Sequence, residues 1–299
     1  MSILNQTNDG LFNVLIVLIR CLAKQKSMAR DKLLALCAPS SAVDDSQKQA
    51  RQTLNRWIQL GLFHEDDSGG IQLDTSLKNE LRGRTGLPAE LSPFVRSVVL
   101  NATNNEQFWD SENNKSADFT RGVCWALAQN VFTCRCVGHA DVQSIEEAQL
   151  RDAAAFQNDT RWNGFKSWAV FLGFGWIGRY PSSVFEIDPT IAVREVLPKV
   201  FEGSRELRQT VFFNRLAEIL PVVDGGEYRT RVEQKIDRSV WRSPKPDQVS
   251  TSLSRSLLRL HDHGDLILEE RADAEKRSLL GRNARIVRNV SHIVLKGES

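Results

Sequence analysis

The stretch "WIQLGLFHEDDSGGIQLD", Trp57 to Asp74, limits the possible fold more than any other part of the chain. An apolar helical run ends at Gly61. Two short segments, "LFHE" and "GIQL", then flank the polar turn "DDSGG". Alternation of apolar and polar residues on both sides of such a turn predicts a β-hairpin. Gly61 falls where a helix ends in the left-handed conformation that glycine adopts without strain. A helix that runs through a glycine into a hairpin is the closing half of a winged helix-turn-helix.

The residues upstream supply the opening half. In "LFNVLIVLIRCLA", Leu11, Val14, Leu15, Leu18 and Leu22 share one helical face. The run is interrupted by Arg20 and has no cleavage-type site after it, which argues against a targeting segment. It is also too short to span a membrane. "SMARDKLLALCAP" predicts a second helix, with Ser27 as N-cap and Pro39 just past its end. A third helix after "SSAVDDS" turns Ala50, Leu54, Trp57 and Ile58 towards a core. These elements define a first domain, residues 1–85.

The pattern returns twice. In "RWNGFKSWAVFLGFGWIGRYPSSVFEID", Phe165, Trp168, Ala169 and Leu172 lie on one helical face, and Gly173 stands where Gly61 stood. "GWIG" and "VFEI" are the hairpin arms, and Asp188-Pro189 opens the next helix as N-cap and first helical residue. Residues 160–203 thus form a degenerate winged helix. It lies within a helical middle, 86–203, to which "ELSPFVRSVVL", "SADFTRGVCWALAQNVF" and "SIEEAQLRDAAAF" contribute helices. In the last domain, 204–299, "ELRQTVFFNRLAEIL" and "YRTRVEQKIDRSVW" supply two helices. "VSTSLSRSLLRLHDHGDLILEE" adds the third helix, a glycine and a strand. "RADAEKRSLLGRN" reads as a long wing tip and "ARIVRNVSHIVLK" as the returning strand. The expected fold is mainly α with small β-hairpins: tandem winged helix-turn-helix domains joined by a helical middle.

Charge decides what such a fold could meet. The formal net charge is only +2 over 299 residues, so a case for nucleic acid rests on local clusters. Ser46 to Leu60 contains Lys48, Arg51 and Arg56 and no acid, with Gln52 and Asn55 beside them. These side chains hydrogen-bond base edges and phosphates. Asp44 and Asp45 precede that helix, where they suit its dipole but would face incoming phosphate. Near the end, Lys276, Arg277, Arg282, Arg285 and Arg288 lie in an acid-free stretch. Thr251, Ser252, Arg255 and Arg259 add to it from the preceding helix, which makes a phosphate-tracking surface. The competing reading is a basic loop that pairs with an acidic protein. In the last strand, a start near Ala284 would turn Ile286 to the core, and Arg288 then needs a bulge or a later strand start.

Candidates for chemistry fail on context. "GFGWIG", Gly173 to Gly178, matches a dinucleotide motif, but a helix precedes it and a strand follows, the reverse of what phosphate binding needs. Cys134, Cys136 and His139, with Cys124 upstream, lack the paired spacing of a zinc site. The five cysteines read as reduced thiols of a cytoplasmic protein. Asp224, Glu233 and Lys235 echo a metal-dependent nuclease, but Tyr228, Val232 and Ile236 give the segment helical spacing, and that motif belongs on strands. The sequence therefore predicts no enzyme activity, no metal and no cofactor.

The segments "NDGLFNVLIVLIRCL" and "MARDKLLALCAP" resemble the DpdG family. That family is encoded in bacterial clusters that insert 7-deazaguanine bases into DNA and restrict unmodified DNA. The resemblance implies an accessory subunit on the restriction side of an anti-phage system, and no catalytic residues. Taken together, the expectation is a non-enzymatic adaptor that binds double-stranded DNA and other defence-system proteins. The alternatives are an assembly subunit whose winged helices dock proteins, and a nuclease.

Overall fold

The computed structural model describes residues 3–4, 12–39, 46–81, 88–110, 115–134, 138–178 and 184–296. Leu11, Asp44, Asp45 and Cys136 lie outside them. The chain is mainly helical with small sheets that are antiparallel except for one pair. It divides into two units, Met1–Phe119 with Asp159–Leu172, and Thr120–Asn158 with Gly173–Ser299.

The first unit starts with α1 (Phe12–Ala23), which buries Leu15, Ile16, Leu18, Ile19 and Leu22. Full burial of each such side chain contributes about 1.5–3 kcal/mol. A two-residue strand, β1 (Met28–Ala29), precedes α2 (Arg30–Cys37). The N-cap assignment of Ser27 is corrected here, because Met28 and Ala29 are drawn into pairing with a later strand and the helix starts beyond them. Then follow α3 (Ser46–Gln59), β2 (Phe63–Glu65), β3 (Gly70–Leu73), α4 (Thr75–Glu80) and α5 (Pro88–Val99). The strands make a sheet of order β1-β3-β2, and α1 packs on α2, α3 and β3.

Ser27 serves the hairpin instead. Its Oγ donates to Asp66 Oδ2 at 2.7 Å, and Ser68 Oγ, Ser68 N, Gly70 N and Gln72 Nε2 donate to the same carboxylate. Those bonds, from Ser68 first and then Ser27, hold the Asp66 carboxyl far below the usual carboxylate range. A Cβ at Gly70 would overlap Ser27 Oγ, so this clasp requires glycine.

Helix α6 (Ala117–Ala128) runs from the first unit into the second, α7 (His139–Leu150) belongs to the second, and α8 (Asp159–Phe171) returns to the first. Trp168 of α8 lies against Trp57 of α3, with ring centroids 5.4 Å apart. Arg96 Nη1 donates to Leu172 O at 2.8 Å, and Arg161 pairs with the buried Asp118 at 2.7 Å. Segment 160–203 is therefore shared, with its helix in one unit and its hairpin in the other.

The second unit continues with β4 (Gly175–Ile177), β5 (Phe185–Ile187), α9 (Thr190–Phe201), β6 (Glu206–Arg208), α10 (Gln209–Ile219) and α11 (Glu227–Lys235). It closes with β7 (Gln248–Val249), α12 (Thr251–His263), β8 (Leu266–Glu269), β9 (Arg277–Leu280), β10 (Ile286–Val290) and β11 (His292–Leu295). Helix α9 begins one residue later than the sequence implies, and Asp188 Oδ1 accepts from Thr190 N at 3.0 Å. One sheet has the order β6-β11-β8. It repeats β1-β3-β2, since in each the strand after the frame's last helix, α3 or α12, pairs with the last strand, which also takes the short early strand. Helix α9 packs on α10 and α12, as α1 packs on α2 and α3.

Two expectations for the last domain are corrected. The long wing tip is not a loop: Ser278, Leu279 and Leu280 are buried in β9, which pairs antiparallel with β10 and parallel with β7. The returning strand is two strands, β10 and β11, with Ser291 between them. The register of β10 shifts between Ile286 and Arg288, and the strand starts at Ile286, later than Ala284. Ile286 nevertheless faces out, 50% exposed, because the turn before it passes through Asn283 and Ala284 at positive φ and re-aims the strand.

Candidate nucleic-acid interface

Helix α3 has a polar face because its core positions take up little more than one side. Ala50, Thr53, Leu54 and Trp57 are buried; Gln47, Lys48, Arg51, Asn55 and Gln59 are exposed, and Gln52 is half-buried. No acid occurs along the helix, and Lys48 and Arg51 have no ion pair among the described residues. Arg56 is corrected: it is 3% exposed and belongs to the core side of α3, next to Trp57 and one turn from Thr53 and Leu60.

One residue that sequence reasoning missed completes this face. Arg30, the first residue of α2, donates from Nη1 to Asn55 Oδ1 at 2.6 Å and from Nη2 to Glu65 Oε2 of β2 at 3.3 Å. One guanidinium thus joins α2, α3 and the hairpin. It fixes the Asn55 amide with its NH2 group left to donate, and it pairs with an acid of the adjacent hairpin. The pairs are 25 and 35 residues apart, so no local spacing announces them. The hairpin turn itself carries Asp66 and Asp67 and is acidic.

The corresponding face of α12 is occupied by its own unit. Helix α6 ends at Ala128, and its last carbonyls have no partner within the helix. Ser252 Oγ donates to Leu127 O at 2.7 Å, Trp241 Nε1 to Ala128 O at 3.0 Å, and Thr251 Oγ1 to Gln129 O at 3.4 Å. Thr251 Oγ1 also accepts from Val131 N at 3.1 Å. Ser254 Oγ accepts from Leu280 N of β9 at 2.9 Å. Arg255 pairs with Glu186 at 3.5 Å, and burial lowers its pKa. Arg259 pairs with Asp188. Thr251 and Ser252 are therefore buried caps of α6, and Arg255 and Arg259 are tied to the β5–α9 junction.

The C-terminal basic cluster divides in the same way. Lys276 pairs with Glu270 at 2.8 Å, and the Arg277 guanidinium lies 5.0 Å from the Phe213 ring centroid. Arg288 Nη1 bonds His261 Nε2 at 2.8 Å and donates to Leu268 O at 3.1 Å. Arg282 and Arg285, at the turn between β9 and β10, are exposed and carry no ion pair among the described residues. Val287, 55% exposed, flanks them with Ile286.

The residues weighed for chemistry have structural partners. Asp224 accepts from Ser250 N and Oγ, each at 2.6 Å, and Glu233 pairs with buried Arg229 at 2.6 Å. Glu233 and Lys235 are on α11, a helix. His139 lies in the first turn of α7 with Nε2 bonded to Phe156 O at 2.8 Å. No three His, Cys, Asp or Glu among the described residues converge on a common point. At Gly173 and Gly175 an added Cβ would meet Ala192 N and the Phe185 ring, so these glycines serve packing. No described helix is long and apolar enough to cross a membrane.

Residues 1–274 match the family described as DpdG-like. The chain belongs to that family. DpdG-like membership fits a role in a DNA-modification system. The match runs through α3 and α12 and stops before β9, so it includes the open helix face and leaves out Lys276 to Arg288. No curated protein and no solved structure matches the chain.

Proposed function

We propose that the protein is a non-enzymatic, DNA-binding adaptor of a bacterial DNA-modification and restriction system, with α3 as the helix that meets duplex DNA. The observation that carries this is the acid-free exposed face of α3, where Lys48, Arg51, Gln52 and Asn55 stand together. The helix–strand–helix–helix–hairpin order and the sheet order β1-β3-β2 support reading residues 12–73 as a winged helix. A recognition helix in that fold offers long polar side chains to a major groove. The order β6-β11-β8 supports a second winged helix in the C-terminal region. Of the basic cluster from Lys276 to Arg288, Arg282 and Arg285 are left for phosphate.

That second region also supports a protein-docking role towards other subunits, because exposed Ile286 and Val287 flank the two arginines. The absence of enzyme activity rests on the engagement of Asp224 and Glu233 by Ser250 and Arg229. The test is binding of purified protein to fluorescent duplex DNA across a salt series. We expect affinity to fall linearly on a log–log plot, as phosphate contacts release counterions. Binding that ignores salt, or Mg²⁺-dependent cleavage lost in Glu233→Ala, would refute the reading.

A further inference from the structure

We propose that the second unit holds a nucleotide-binding cavity beside the β9–β10 turn, which takes one base and its phosphate. This rests on the DNA-binding reading above but concerns a different surface. The cavity has a volume of about 410 Å³, within the roughly 300–1,000 Å³ range of small-molecule sites. Its lining among the described residues contains no carboxylate, and its one charged side chain is Arg242, which is exposed. An anion fits that balance and a cation does not.

The rest of the lining sets the ligand's shape and edges. Val240, Trp241 and Leu280 give apolar walls suited to a flat ring. Two carboxamides face the same space with their oxygens already engaged: Asn130 Oδ1 accepts from Phe132 N at 3.0 Å and Gln248 Oε1 from Lys245 N at 3.1 Å. Each leaves an NH2 group without a partner among the described residues. Base edges offer ring nitrogens and carbonyl oxygens as acceptors for such donors. A flat acceptor-edged ring with an attached anion is a nucleotide.

The position of the cavity adds to this. Leu280 and Ala284 line it, and they belong to the turn that carries Arg282 and Arg285. Phosphates on either side of a bound nucleotide would meet those two arginines. The ligand can come from two sources, a free nucleotide or an unstacked residue of a DNA strand. Unstacking a base costs a few kcal/mol in a duplex and far less in a single strand, so a strand is the easier donor.

The test uses the full chain and three probes: the four free deoxynucleoside monophosphates, a fluorescent single strand of ten residues, and its duplex. We expect single-strand or mononucleotide binding by the wild type, and a loss of about tenfold or more in Arg242→Glu/Gln248→Ala. Both residues are on the surface side of the cavity, and unchanged circular dichroism checks the fold. Binding of free nucleotides identifies them as the source; binding of the strand alone identifies DNA. Lys48→Glu/Arg51→Glu should keep this binding and lose the duplex. If neither the free nucleotides nor the single strand binds, or the cavity variant binds like the wild type, the cavity proposal is overturned. Duplex binding through α3 would then stand or fall on its own measurement.

Discussion

Helices α3 and α12 sit in the same frame and end in the same way. Gly61 follows the first at φ +83° and Gly264 the second at φ +81°, and each opens into a strand that pairs with the last strand of its sheet. Their polar residues have opposite fates. On α3, Lys48, Arg51 and Asn55 face solvent; on α12, Thr251, Ser252, Arg255 and Arg259 are bonded to α6, β5 and the start of α9. The difference does not lie in the helices. It comes from what the chain adds around them, since α12 stands beside the open C-terminal end of α6, and that end recruits hydroxyl groups. A helix–strand frame therefore does not specify a binding face. The face exists only where nothing else in the chain needs its side chains.

Four substitutions or conditions would break or sharpen this contrast. The largest effect should come from Lys48→Glu/Arg51→Glu, which should cost about 1–3 kcal/mol of DNA binding per side chain that meets a base and flatten the salt slope by about one unit per lost phosphate contact. Stability should move by about 0.5 kcal/mol or less, as at other exposed sites. A variant that still binds duplex DNA with unchanged salt dependence would remove α3 from the interface.

Next is Ser252→Ala on α12. It leaves the Leu127 carbonyl without its donor in a buried place, so chemical denaturation should show a loss of about 1–3 kcal/mol. DNA affinity should stay at the wild-type value. Weaker DNA binding without lost stability would mean that α12 is a contact helix after all.

Gly61→Ala and Gly264→Ala should each cost about 1–2 kcal/mol, because both force a Cβ into the left-handed region. Neither site has an atom near the added carbon, so strain is the whole effect and the two losses should match. Unequal losses would show that the two frames differ in backbone and not only in surroundings.

The smallest effect concerns alkaline stability. Burial, then the bond to Cys21 at 3.5 Å, pushes the Cys37 thiol from 9.0 up to about 12. The folded state thus prefers the neutral thiol. This contribution is complete below pH 9.0 and fades as the pH rises towards about 12. The C-terminal region beyond Cys136 has no cysteine, and the group that burial raises there, Tyr228, starts from the higher value of 10.0. Hydrogen exchange above pH 9.0 should therefore speed up first around α1 and α2, and Cys37→Ala should abolish that lead. Equal acceleration in both regions would show that Cys37 is not the cause.

The frames were readable because their signals are local. A glycine after a helix and a polar turn between alternating runs are enough for β2–β3 and for α12 into β8. The burial of Arg56 is not legible from its charge, which favours solvent, although its neighbours one turn away, Thr53 and Leu60, are both buried. The link from Arg30 to Asn55 and Glu65 needs three separate elements to meet, and nothing in their spacing reveals it. The polar start of α12 looked like a recognition surface for a related reason. Thr251 and Ser252 suit phosphate and a helix C-terminus equally well, and which one they meet depends on Leu127 and Gln129, more than 120 residues away. Strand β9 is not legible in the sequence because four residues, "RSLL", are too few to show alternation.

The split first unit has a consequence for biosynthesis. Trp57 gets its neighbour Trp168 only from α8, which is translated after residues that belong to the other unit. At about 5–20 residues per second, several seconds of synthesis separate Phe119 from Leu172. For that time the nascent N-terminal segment lacks the helix against which its tryptophan packs, and that apolar face is left uncovered. A gene shortened before Leu172 makes that interval permanent. Its product should be captured as an aggregation-prone chain, even though every residue of the exposed α3 face is present.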